Sequence, residues 1–118
     1  MPVRGIRGAT TAQDNTREAI LSATEELLQA IVAANQLALE DIASVLFTVT
    51  SDLDAEYPAR AARELGWHDI ALLGATEMNV PGGVPRCIRV LLHVNTDKPA
   101  SQMKHIYLRG ARALRPDR

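Results

Sequence analysis

Arg89 stands in the middle of the strongest strand signal in the chain. From Arg86 to Asn95 the residues alternate, so that Ile88, Val90, Leu92 and Val94 share one face and Cys87, Arg89, Leu91 and His93 the other. The first face suits a core covered by a helix; the second holds a guanidinium among apolar neighbours. Arg7 repeats the situation in the segment Val3 to Thr11, between Gly5 and Ala9, which are too small to screen it. A guanidinium is planar, permanently charged and matched to two-pronged recognition of a carboxylate or a phosphate. Buried without a partner, it costs several kcal/mol. A structural ion pair with Asp or Glu accounts for either arginine alone. Two of them mid-strand favour a site for a small anion.

The other groups that could do chemistry are sparse. His68, His93 and His105 are far apart in the sequence and lack metal-ligand spacing, so no metal is expected. The single cysteine, Cys87, excludes an internal disulfide and reads as a small buried hydrophobe rather than a nucleophile. No Ser or Thr lies in a glycine-flanked elbow, and Gly82-Gly83, set between prolines and valines, makes a poor phosphate cradle. Glu77 follows an apolar strand, where it could accept a hydrogen bond from a ligand hydroxyl or simply face solvent. Tyr107, in a chain with four aromatic residues, is either a hydrogen-bonding pocket residue or a packing anchor. The residues themselves thus describe a small anion-binding domain with arginines in place of a nucleophile.

These residues need a scaffold, and the sequence supplies one of the α+β class. Val3 to Thr11 reads as a strand. Asn15 and Glu18 have the spacing of a capping box, and Ile20, Leu27, Leu28 and Ile31 then recur at helical spacing as far as about Asn35. A short turn at Leu39-Glu40-Asp41 precedes a strand from Ile42 to Thr50. Pro58 opens a short helix over Ala59 to Leu65, stopped by Gly66. Ile70 to Ala75 is a third strand, and Val80 to Pro85 is the clearest loop. After the strand bearing Arg89, Ser101 to Leu108 is predicted as a short helix and Ala111 to Leu114 as an edge strand. The architecture expected is a mixed sheet with one long helix and short helices packed on one face.

The 118 residues suit one domain, residues 1–118, and a chain 47% hydrophobic and 23% charged is that of a folded protein, not a disordered one. Thirteen basic against 14 acidic residues leave a net charge of −1. Such balance removes the general attraction to nucleic acid or to an anionic membrane. Eleven of the basic residues are arginine, the exceptions being Lys98 and Lys104, and composition bias in an Ala-rich chain could account for part of that excess. The start of the chain lacks the apolar stretch of a signal peptide, and the longest apolar runs, Ile42 to Val49 and Ile88 to Val94, are far short of a bilayer span. A cytoplasmic protein is expected.

Several separated segments together resemble the monofunctional chorismate mutases of the small trimeric α+β class. They are Val3 to Thr11, Phe47 to Leu53, Tyr57 to Arg63, Glu77-Met78 before the Gly82-Gly83 loop, Cys87 to Val90, His105 to Leu108, and Leu114-Arg115-Pro116-Asp117. The resemblance runs the length of the chain. It implies rearrangement of chorismate to prephenate, the branch step toward phenylalanine and tyrosine, without a cofactor. It also implies a homotrimer forming a pseudo-barrel, with pockets between neighbouring subunits.

By position, the resemblance makes Arg89 the donor to the substrate's ether oxygen and Arg7 the clamp on the enolpyruvyl carboxylate, assisted by Tyr107. Glu77 would accept from the ring hydroxyl, and backbone groups of Leu73, Gly74, Ala75 and Thr76 would line the ring. Tyr57, Arg60, Arg63, Leu114 and Arg115 match positions at the pocket mouth. The chain departs from some relatives, which carry Cys in place of Gly74, Phe in place of Tyr57 or Lys in place of Arg60. Two other readings compete: a non-catalytic trimeric module binding a small anionic metabolite, and an enzyme like the imine deaminases, which the combination of Glu77, Arg89 and Tyr107 fits poorly.

Overall fold

The computed structural model describes residues 1–114. Five strands form one mixed sheet in the order β3-β2-β4-β1-β5, with β1 at Val3–Thr11, β2 at Ile42–Val49, β3 at Ala71–Thr76, β4 at Cys87–Asn95 and β5 at Ile106–Tyr107. Strand β4 lies in the middle, antiparallel to both β1 and β2, while β3 and β5 are parallel to their neighbours.

The register sorts the side chains as the alternation of β4 predicts. Val90 faces Gly8 on one side and Phe47 on the other, and Leu92 faces Ile6 and Val45. These residues point toward helix α1, Arg17–Asn35, whose Leu27, Leu28 and Ile31 are fully buried in the same cluster. Gly8 is what lets the helix approach: a Cβ there would lie 2.7 Å from Ile31 Cδ1 and 3.2 Å from both Leu27 Cδ1 and Val90 Cγ2. Helix α2, Ala59–Glu64, adds Ala62 to this core, followed by Trp67 and Ile70.

The other face of the sheet has no α-helix on it; only the 3₁₀ helix Arg109–Leu114 packs at one end, burying Ala111 against Ala9 and Cys87, and the rest is uncovered. Arg7, Leu46, Leu73, Arg89 and Leu91 stand there side by side by register, Arg7 opposite Leu91, Leu91 opposite Leu46, and Leu46 opposite Leu73.

Three local expectations are corrected. The helix begins at Thr16, whose hydroxyl accepts from the Ala19 amide at 3.1 Å; Asn15 instead holds the 54–55 backbone, accepting from the Asp54 and Ala55 amides. The segment Ser101 to Leu108 is not a helix: a single 3₁₀ turn at Ala100–Gln102 gives way to strand β5. Ala111 to Leu114 is not an edge strand but part of a 3₁₀ helix, Arg109–Leu114. Both misreadings fall where bonds from distant parts of the chain set the conformation. Asn35 holds both backbone groups of Lys104, and the Thr11 hydroxyl accepts from the Gly110 amide.

Candidate active site

Strand β4 places Arg89, and β1 places Arg7, on the uncovered face. Expected as buried charges, both instead lie open to solvent in the single chain. Glu77, just past the end of β3, folds back over β2. Its amide donates to the Val49 carbonyl at 2.8 Å, and its Oε1 accepts from the Thr48 hydroxyl at 2.7 Å. The same oxygen lies 3.7 Å from Arg89 Nη1, with the arginine side chain 44% exposed and the glutamate 20%. Arg89 therefore has the carboxylate partner that a structural reading demands. A pair this open contributes little, about 0–1 kcal/mol, so an incoming anion can displace it at small cost.

A cavity of about 300 Å³ is lined by Arg7, Gly8, Leu46, Thr48, Glu77, Arg89, Val90, Leu91 and Tyr107. That is the lower end of the size range of small-ligand pockets, with a few polar groups set in an apolar wall. A neighbouring cavity of about 410 Å³ shares Glu77 and Arg89 and adds the 78–85 loop, Cys87 and Leu114. Burial raises the Cys87 thiol above its ordinary pKa, which keeps it protonated and unreactive. Thr48 was not anticipated as a site residue, although alternation along β2 places it on the same face as Leu46 and directly opposite Arg89.

The start of β4 is held in place from behind. Arg86 adopts a left-handed backbone conformation (φ 47°), which a side chain other than glycine seldom takes. Asp52 compensates by accepting the Arg86 amide at 2.9 Å, and it also accepts from the Thr50 hydroxyl, whose oxygen in turn accepts from the Cys87 amide at 2.9 Å. The Thr50 hydroxyl is the chief reason that the Asp52 carboxyl sits below the usual carboxylate range, with the Arg86 amide and guanidinium also lowering it against the opposing effect of burial.

The remaining expected site residues lie elsewhere on the chain. Leu73, Gly74, Ala75 and Thr76 form the exposed edge strand β3, three strand spacings or ~14 Å from β1. Nothing stands within 4 Å of a Cβ built on Gly74, so the Cys of some relatives would fit there. Tyr57, 77% exposed, and Arg60 and Arg63 belong to α2 and its approach, on the helix-covered side of the sheet. Arg60 pairs with Glu56 at 3.2 Å, and Glu56 also binds Arg17. None of these seven residues lines either cavity. Arg115 lies outside the described residues.

Among the described residues, no group of three or more His, Cys, Asp or Glu side chains could hold a metal ion, and no helix is long and apolar enough to cross a membrane.

The chain is similar to known proteins over nearly its whole length. Residues 3–118 match the family model described as chorismate mutase type I. The chain is 53% identical over 116 residues to a chorismate mutase of Thermus thermophilus, covering 98% of this chain and 95% of that protein. It is 46% identical over 118 residues to that of Bacillus subtilis, covering 99% and 93%. Among solved structures, a chorismate mutase from Clostridium thermocellum superposes with a TM-score of 0.91 at 50% identity, covering 92% of this chain and 97% of that one. Neither a purely binding module nor an imine deaminase accounts for matches of this extent. With near-complete coverage by sequence and by fold, the chain belongs to the type I chorismate mutases, isomerases that act on chorismate.

Proposed function

We propose that the chain works as one catalytic domain and converts chorismate to prephenate by holding the substrate, without reacting with it. The reaction is a concerted [3,3] shift within one molecule, in which a C–O bond breaks as a C–C bond forms. No proton has to move and no covalent intermediate is needed. What the protein contributes is restraint of a flexible dianion in its compact reactive shape, together with a fixed cation beside the oxygen that gains charge.

In this reading Arg89 donates to the ether oxygen, Arg7 and Tyr107 hold the enolpyruvyl carboxylate, and Glu77 accepts from the ring hydroxyl. The observation that carries it is the convergence of these four side chains on one cavity of about 300 Å³. Thr48 fits as the donor that keeps the Glu77 carboxylate turned toward the pocket.

The second group of residues supports an assembly. Tyr57, Arg60 and Arg63, the backbone of 73–76 and the mouth residues Leu114 and Arg115 complete the pocket, but Tyr57, Arg60, Arg63 and residues 73–76 line neither cavity within one chain. Leu73, 62% exposed, and Leu46 leave an apolar patch beside the arginines on the uncovered face. A homotrimer closed through these faces into a pseudo-barrel would cover that patch and bring β3 of one copy against Arg7 and Arg89 of the next. Cytoplasmic catalysis without cofactor or metal completes the proposal.

The direct test follows chorismate absorbance with purified protein and no added cofactor or metal. Loss of chorismate with formation of prephenate supports the reading. Binding without conversion would overturn it.

A further inference from the structure

Strand β5 is only two residues long, and it pairs with β1 at Gly8 and Ala9. The Leu108 amide donates to the Ala9 carbonyl at 2.9 Å, continuing the ladder at one end. Beyond the other end of this two-residue strand, the Arg7 amide donates to the imidazole of His105, 2.9 Å to Nδ1. An amide can only donate, so Nδ1 must present its lone pair and the ring proton must sit on Nε2. The ring therefore acts as one extra rung of the sheet, at the residue whose side chain lines the cavity.

The backbone next to the ring is held from the helix side. Lys104, next in the chain, gives its amide to Asn35 Oδ1 at 2.8 Å, and its carbonyl accepts from Asn35 Nδ2 at 2.9 Å. Asn35 is the buried last residue of α1, and its Nδ2 also reaches the Ile31 carbonyl at 3.0 Å. A continuous set of bonds thus runs from the end of the long helix through Lys104 and His105 to the backbone of Arg7. Tyr107, two residues beyond His105, lines the same cavity as Arg7.

We propose that His105 is a positioning residue, which sets the edge of β1 so that Arg7 and Tyr107 reach one carboxylate together. The proposal rests on the reading of Arg7 and Tyr107 as that clamp. His105 need not touch substrate; it acts through the Arg7 amide. A carbonyl oxygen can replace Nδ1 as acceptor, whereas an apolar ring fills the space without accepting.

The experiment compares His105→Phe with His105→Asn, reading kcat and KM for chorismate and hydrogen exchange at the Arg7 amide. The Phe variant should raise KM about tenfold, the loss of one hydrogen bond, with kcat within about twofold. Its Arg7 amide should exchange about tenfold faster or more. The Asn variant should restore both. A Phe variant with wild-type KM and a protected amide overturns the proposal, as does an Asn variant no better than Phe. If Phe fails to fold, Asn decides alone: wild-type KM and protection support the role, and their loss refutes it. A wild-type protein that leaves chorismate untouched refutes the clamp reading instead, while Arg7 exchange still reports whether His105 holds the strand.

Discussion

Thr48 and Glu77 are joined by a 2.7 Å hydrogen bond in which the β2 hydroxyl donates to the carboxylate just past β3. The bond fixes one glutamate oxygen at the place where Arg89 also approaches. Thr48→Val removes the donor and nearly nothing else. It should lower kcat/KM about tenfold or more, the loss of one hydrogen bond to a charged group, and Thr48→Ser should restore it. Equal activity of the Val variant and wild type would show that Glu77 holds its place unaided.

Arg89 is assigned to the developing charge on the ether oxygen. Replacing it with Lys or Ala should lower kcat ~10²–10³-fold, as for loss of a preorganised donor to an oxyanion. A variant retaining more than about a tenth of the wild-type rate would remove Arg89 from that role.

The rearrangement needs no acid or base, so the chemical step should be nearly flat over about pH 6 to 9. A bell-shaped profile in single-turnover measurements would contradict the mechanism.

If the pocket draws on two neighbouring copies, damage to the two groups can be complemented. Arg89→Ala and Arg63→Ala chains, unfolded and refolded together in equal amounts, should assemble intact sites at about a quarter of positions. Activity no greater than the average of the two separate variants would confine each site to one chain.

The Asp52 carboxyl is held below its ordinary pKa first by the Thr50 hydroxyl and then by Arg86. A carboxyl depressed in the folded state stabilises it above the unfolded pKa of about 3.9 and loses that effect as pH falls through the lower folded value. Asp52→Asn should therefore lower the melting temperature at neutral pH, and the gap from wild type should narrow between about pH 5 and pH 2. A gap unchanged down to acid would assign the destabilisation to something other than the charge.

Thr10 is fully buried opposite Ile88, and its hydroxyl meets no partner among the described residues. Thr10→Val keeps the shape and removes the unsatisfied group. It should stabilise the protein by about 1 kcal/mol in urea unfolding at matched protein concentration. A loss of stability would place a water on the hydroxyl.

The legible parts of this chain are those in which one segment contains its own explanation. The two faces of β4 follow from alternation alone, and α1 follows from the spacing of Ile20, Leu27, Leu28 and Ile31. Residues 101–114 depart from the expectation because their conformation depends on Asn35, on the Arg7 amide at the β1 edge and on Thr11, which lie far away in sequence. The site shows the same division. Arg89 and Arg7 are visible as misplaced charges, and Glu77 and Tyr107 as candidates with two readings each, between which only the family resemblance chooses. Thr48 was hidden because a threonine in a strand is ordinary until its partner across the sheet is known.

The separation of the two sheet faces also shapes the approach of the ligand. Arg7 and Arg89 look out from the side opposite α1, while on the helix side Arg17 and Arg60 pair with Glu56 and Arg109 pairs with Glu26. Arg7 has no ion pair among the described residues, so its field is left to act on an approaching dianion. Diffusional capture should slow as added salt shortens the reach of that field, even though the bond rearrangement itself is indifferent to ionic strength.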